Sequence, residues 1–114
     1  MAKDDYHVIA YRILIYLYEC LKKGIRPDLE YLQYNTKAFP VGESYWYYIL
    51  SNLYQEGYLT GVILIPILGS AEKGVKLTGD IMITPAGIEY IQENGLMQKA
   101  KNFLKELKEI VPGL

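Results

Sequence analysis

From Asp4 to Lys23 apolar side chains return every three or four positions, so that Ile9, Ile13, Tyr16, Leu17 and Cys20 fall on one face of an amphipathic helix. Asp4 and Asp5 supply a cap and negative charge for its first turn. Lys22-Lys23-Gly24 supplies a basic last turn and a left-handed stop. Pro27-Asp28 restarts the chain, and Asp28 is placed to cap a short second helix over about 29–37, with Leu29 and Leu32 turned inward. Phe39-Pro40-Val41-Gly42 reads as a turn. A third helix is predicted from about Glu43 to Gln55, with Trp46, Ile49, Leu50 and Leu53 on its inner face and Gly57 as its stop.

The pattern then changes period. Val62-Ile63-Leu64-Ile65 is a β-branched apolar run bounded by Gly61 and Pro66, which favours a strand, and Asp80-Ile81-Met82-Ile83 is the returning strand. Residues 69–79, with Gly69, Gly74 and Gly79, have the chemistry of a loop between them. Thr84-Pro85 is a strong helix start, because a Thr hydroxyl caps and Pro fits the first helical turn. That helix runs to about Glu93, where Asn94-Gly95 stops it. A last helix covers about 96–110, striped by Leu96, Ala100, Phe103, Leu107 and Ile110. Three N-terminal helices, a two-stranded hairpin and two C-terminal helices form one α+β domain, mostly α, over residues 1–114. That order is the order of a winged helix-turn-helix, with the hairpin as the wing.

Two segments carry a further likeness. Glu56-Gly57-Tyr58-Leu59-x-Gly61-Val62 is followed by Ile83-Thr84-x-x-Gly87-x-x-Tyr90, then by Glu93-Asn94-Gly95 and by Lys99-Ala100 inside a basic final helix. As a set these resemble the YjcQ-like family of small winged-helix proteins of bacterial and prophage genomes, most closely over residues 53–110. Thr84 is expected to cap, Gly87 to allow close approach of a neighbouring element, and Tyr90 and Ile91 to pack inward. The resemblance implies a fold and carries over no activity and no catalytic residue.

Composition narrows the classes. The chain has 114 residues, 51% of them hydrophobic, 12 Lys+Arg against 13 Asp+Glu and a net charge of −1, which fits one folded domain and excludes a disordered tail. A single cysteine and a single histidine provide neither an internal disulfide nor a zinc cluster, so no metal and no cofactor are expected. The longest apolar run, Val62 to Leu68, falls far short of the ~18 residues of a membrane span, and the acidic N-terminus does not read as a signal peptide. A cytoplasmic protein without a membrane partner is expected.

Winged helices usually bind duplex DNA, with the third helix in the major groove and the wing on the backbone. The residues in position to do so are Ser44, Tyr45, Tyr48, Asn52 and Gln55 on the third helix, with Ser51 beside them, Lys37 in the preceding turn, and Lys73 and Lys76 in the wing. Asn and Gln pair bidentately with adenine, and hydroxyls reach phosphates. On this footing a small DNA-binding transcriptional regulator is the first reading. The charge pattern opposes it: no Lys or Arg stands between Ala38 and Glu72, and Glu43 and Glu56 flank the third helix. The alternative is a protein-binding domain that uses its tyrosines. There are 12 of them, and all but Tyr90 precede Leu59.

The remaining residues point to no chemistry. His7 stands alone and reads as solvated, and Cys20 reads as a small buried hydrophobe. No phosphate-binding loop, metal motif, nucleophile elbow or catalytic pair is present, so an enzyme is not expected. The apolar face of the last helix is wider than a single seam. Its surplus around Leu104, Leu107 and Val111 predicts a twofold homodimer, which would also join two weak DNA sites.

Overall fold

Helix α1 (Tyr6–Lys23) runs through the centre of the protein. The computed structural model describes residues 6–66, 68–69, 73–93, 102–103 and 105. The predicted stripe of Ile9, Ile13, Tyr16, Leu17 and Cys20 is buried, but so are Ala10, Tyr11, Leu14 and Ile15 on the other sides. The cause is the unbroken apolar run Ile13-Leu14-Ile15-Tyr16-Leu17. A helix that is apolar nearly all round is stable only when neighbours cover it nearly all round, and three elements lie against α1: α2 (Glu43–Gln55), β2 (Lys73–Ile83) and α3 (Pro85–Glu93). Gly24 ends α1 as predicted. At φ 67° it donates its N–H to the Leu21 carbonyl at 3.2 Å, while Ile25 donates to Cys20 at 3.0 Å. This is the paired closure of a helix C-terminus that only a left-handed residue permits. The expected caps Asp4 and Asp5 lie outside the described residues.

The predicted second helix is absent, and this overturns the winged helix-turn-helix. Among the described residues the order is helix, helix, strand, strand, helix; the α+β character stands, and three N-terminal helices do not. Side chains between Asp28 and Val41 satisfy the backbone locally and divert it from a helical ladder. The Asp28 carboxylate accepts from the Glu30 N–H at 2.9 Å, one turn closes at Leu32, and Gln33 Nε2 then donates to the Leu29 carbonyl at 3.0 Å. Asn35 stands in the left-handed region at φ 55°, and the Thr36 hydroxyl accepts from the Phe39 N–H at 3.1 Å. The segment is instead a folded-back loop pinned by buried Leu32, Phe39 and Val41. Arg12 of α1 holds it from outside by donating to the Ala38 carbonyl at 3.0 Å.

Strands β1 (Leu59–Pro66) and β2 pair antiparallel and are both longer than predicted. Residues 73–79, read as loop because of their glycines, belong to β2, where buried Val75 and half-buried Leu77 alternate with exposed Lys76. A bulge lies at Gly61, whose φ is 84°: Thr60 pairs with Met82, but Val62 pairs with Leu77. The Thr78 hydroxyl closes the bulge by donating to the Gly61 carbonyl at 2.6 Å. Between those two pairs β1 has one residue, Gly61, and β2 has four, 78–81, so the extra residues lie in β2. The left-handed backbone at Gly61 breaks the alternation of β1, so that Leu59 and Val62 are both buried while Ile63 is 50% exposed. Trp46, Ile49, Leu50 and Leu53 are buried as predicted.

The base of the hairpin is tied to two helix ends through Thr84. Its N–H donates to the Tyr58 carbonyl at 3.0 Å, its hydroxyl donates to the Gly57 carbonyl, and the same hydroxyl accepts from the Gly87 N–H at 3.1 Å to cap α3. Gly87 is where α3 meets the Tyr58 carbonyl so closely that a β-carbon has no room. Of the predicted last helix only residues 102, 103 and 105 are described. Phe103 is buried, with the Arg12 guanidinium 5.1 Å over its ring.

Candidate interaction surface

The burial of Trp46, Ile49, Leu50 and Leu53 fixes the rotation of α2 and thereby its solvent side. Ser44, Tyr45, Tyr48 and Gln55 are exposed there, as the sequence predicted, and Asn52 is half-buried. Its Nδ2 donates to the Tyr48 carbonyl one turn back at 2.7 Å, a carbonyl that also accepts from Ser51 Oγ at 3.0 Å. The amide expected to read a base edge thus serves its own helix. Lys37 is exposed on the folded-back loop, away from any predicted recognition pair. Lys76 is exposed on the outer face of the hairpin opposite Ile63, and Lys73 pairs with Pro66 at the distal end of the strands. The residues proposed for a dimer, Leu104, Leu107 and Val111, lie outside the described residues.

What the fold brings together is aromatic. The rings of Tyr45 and Tyr48 are 6.3 Å apart and 19° from parallel, and Tyr48 is 58% exposed. Tyr6, at the start of α1, meets Tyr48 edge to face at 6.1 Å and His7 at 5.3 Å. His7 Nδ1 lies 2.9 Å from the Tyr90 hydroxyl, and the Tyr90 ring stacks on Tyr58 at 4.6 Å. Six side chains from α1, α2, α3 and the turn after α2 thus make one continuous band, exposed at Tyr45, Tyr48 and His7 and half-buried at Tyr6, Tyr58 and Tyr90. Burial pushes Tyr6 from 10.0 up to about 12, with Tyr90, Tyr48 and Glu56 adding to it. Burial also raises Tyr90. These phenols are therefore neutral donors at physiological pH.

A second aromatic group stands at the start of α2. Tyr34 and Tyr47 both donate to Glu43 Oε2, at 2.8 and 3.2 Å, with their rings 6.2 Å apart. The hydrogen bond to Glu43 raises Tyr34, and burial followed by the Glu43 charge raises Tyr47. Sequence reasoning placed Tyr45 and Tyr48 on this face but missed Tyr6, His7, Tyr58, Tyr90 and the grip on Glu43. Tyr6 meets Tyr48, His7 meets Tyr90 and Tyr58 meets Tyr90 only through the fold, so no local spacing announces those contacts. Two signals were local: Tyr47 stands one helical turn from Glu43, and Tyr90 falls in Thr84-x-x-Gly87-x-x-Tyr90.

Among the described residues no group of three or more His, Cys, Asp and Glu is placed to hold a metal ion. No helix among them is long and apolar enough to cross a membrane. The comparisons with known proteins define the class: the chain belongs to the YjcQ protein family, whose model matches residues 11–110. No curated protein and no solved structure matches it.

Proposed function

We propose that this domain is a non-enzymatic protein-docking module whose contact face is the solvent side of α2 together with the aromatic band. The observation that carries this reading is the Tyr45–Tyr48–Tyr6 group. It presents large apolar rings with polar tips to solvent, on a helix that holds no cation and has Glu43 at its first turn. Tyrosine supplies contact area at little cost in side-chain entropy, which is why it concentrates at protein interfaces. Duplex DNA asks for the reverse, a cationic face that neutralises phosphates. The missing second helix, the Asn52 amide bonded to its own helix and the stretch without Lys or Arg from Ala38 to Glu72 all weigh against the regulator reading.

Two measurements test the proposal. In fluorescence anisotropy over a salt series, duplex DNA from a genomic library should bind no more tightly than ~10⁻⁴–10⁻⁶ M at physiological salt, with a shallow slope. In affinity capture, a partner held by the wild type should be lost on Tyr48→Lys, a change at an exposed position that leaves the thermal midpoint within a few degrees. Nanomolar, sequence-selective duplex binding would overturn the docking reading and restore the DNA-binding regulator.

A further inference from the structure

We infer that β1 pairs edge to edge with β1 of a second copy, antiparallel about a twofold axis at Leu64, to make a four-stranded sheet from two hairpins. The strand Leu59–Pro66 contains no charged residue, and from Val62 to Ile65 it is apolar on both faces. Such a run belongs to a strand with neighbours on both sides, whereas a lone edge alternates or carries charge. Yet the sheet has two strands among the described residues, so one edge of β1 has no strand beside it. Its distal half is also poorly covered: Ile63 is 50% exposed and Ile65 43%, and Leu64 on the opposite face is only half-buried. The paired strand does not supply the cover, since Ile63 lies opposite Lys76 and Ile65 opposite Gly74, which has no side chain.

The two edges of the hairpin are unlike. β2 carries Lys73, Lys76 and Asp80, and its extra residues at 78–81 break its line, both of which discourage strand pairing. Two β2 edges brought together would also set lysine near lysine. β1 has neither device over its regular stretch, which is bounded by left-handed Gly61 at φ 84° and by Pro66, a residue with no N–H to give. The middle of Val62–Pro66 is Leu64, and a twofold axis there makes the strand its own complement. Ile63 of each copy falls opposite Ile65 of the other on the outer face, and the two Leu64 side chains meet on the inner face. One contact thus gives all three poorly covered side chains a neighbour, with no charge to desolvate. A foreign strand would have to match this neutral, β-branched sequence, and a second copy matches it by identity. The stretch is short. Standard interfaces use about 20–30 residues a side, so the dimer is a weak one, half-formed at roughly 10⁻⁵–10⁻⁴ M.

Sedimentation velocity of the full chain from ~10 µM to ~1 mM tests the association, and the wild type should pass from monomer to dimer over that range. Ile63→Lys and Ile65→Lys change exposed side chains, which circular dichroism should show to leave the fold intact, and each should weaken the dimer at least about tenfold. Cross-linking fixes the register. Ile63→Cys and Ile65→Cys, mixed in equal amounts and oxidised, should give the heterodisulfide in several-fold excess over either homodisulfide, because only position 63 against 65 comes within disulfide reach. Cys20 is buried and common to both chains. This arm carries the test alone if a lysine variant fails to fold. A chain that stays monomeric at ~1 mM would overturn the pairing and leave the β1 edge to a strand of another protein. A dimer that Ile65→Lys leaves intact, or that shows no preference for the 63–65 link, would overturn it as well and place the contact elsewhere.

Discussion

Trp46 and Tyr48 stand two positions apart on α2, yet the first is 2% exposed and the second 58%. Their substitutions should differ accordingly. Trp46→Ala leaves a large cavity among Phe39 and the helix core and should cost about 3–5 kcal/mol in urea denaturation. Tyr48→Ala should stay within about 0.5 kcal/mol of wild type, since it removes only surface contacts with Tyr45 and Tyr6. A loss of several kcal/mol at Tyr48 would mean that the aromatic band supports the fold and is not free to serve a partner. Gly87 is sensitive for another reason. A methyl group there runs into the Tyr58 carbonyl, which two hydrogen-bonded elements hold still, so Gly87→Ala should destabilise by about 1–3 kcal/mol through overpacking.

At the scale of elements, Thr84 joins the end of α2, both strand bases and the start of α3. Thr84→Ala should therefore cost more than an ordinary cap, about 2 kcal/mol, while Thr84→Ser should cost well under 1 kcal/mol because Ser keeps both roles of the hydroxyl. Equal losses for Ala and Ser, measured by thermal denaturation, would move the effect from the hydroxyl to the methyl group. Thr84 was legible in the sequence because capping is local chemistry, and so were the stops at Gly24 and Gly57 and the inner face of α2. The stretch from Asp28 to Val41 was misread for a related reason. Asp28 does act on the backbone just ahead of it, but Gln33 and Thr36 also bond locally, Asn35 turns left-handed, and the helix stops after one turn. The hairpin was misread in length. Gly61 looked like a boundary but lies inside β1, and the glycines of 69–79 looked like a loop although residues 73–79 pair within β2. The contact face was only half legible, since Tyr45 and Tyr48 follow from the rotation of α2 while Tyr6, His7 and Tyr90 join it only through the fold.

For the whole molecule, the buried phenols set its limit at alkaline pH. Burial pushes Tyr6 and Tyr11 each from 10.0 up to about 12, and raises Tyr16 as well. A phenol carries charge when it loses its proton, so the raised value means that the unfolded chain ionises first. The stability these groups contribute is intact below pH 10 and drains away as pH rises from there through about 12. Unfolding should accordingly set in above pH 10, with phenolate absorbance growing in two stages. The exposed tyrosines titrate first, and the buried ones appear together with the loss of helical circular dichroism. A single smooth titration with the helix signal intact would mean that Tyr6, Tyr11 and Tyr16 are open to water.

The burial of α1 on nearly every side also imposes a timetable on synthesis. Helix α1 depends for its cover on α2, β2 and α3, all made after it, and Ile91 of α3 is itself fully buried. At ~5–20 residues per second, the stretch from Cys20 to Ile91 takes roughly 4 to 14 s to translate. Throughout that interval Ile13-Leu14-Ile15-Tyr16-Leu17 has fewer partners than faces, and it invites chaperones or other nascent chains to supply them. A message truncated after α2 would release α1 without the cover of β2 and α3, and quality control would meet it as an aggregation-prone fragment.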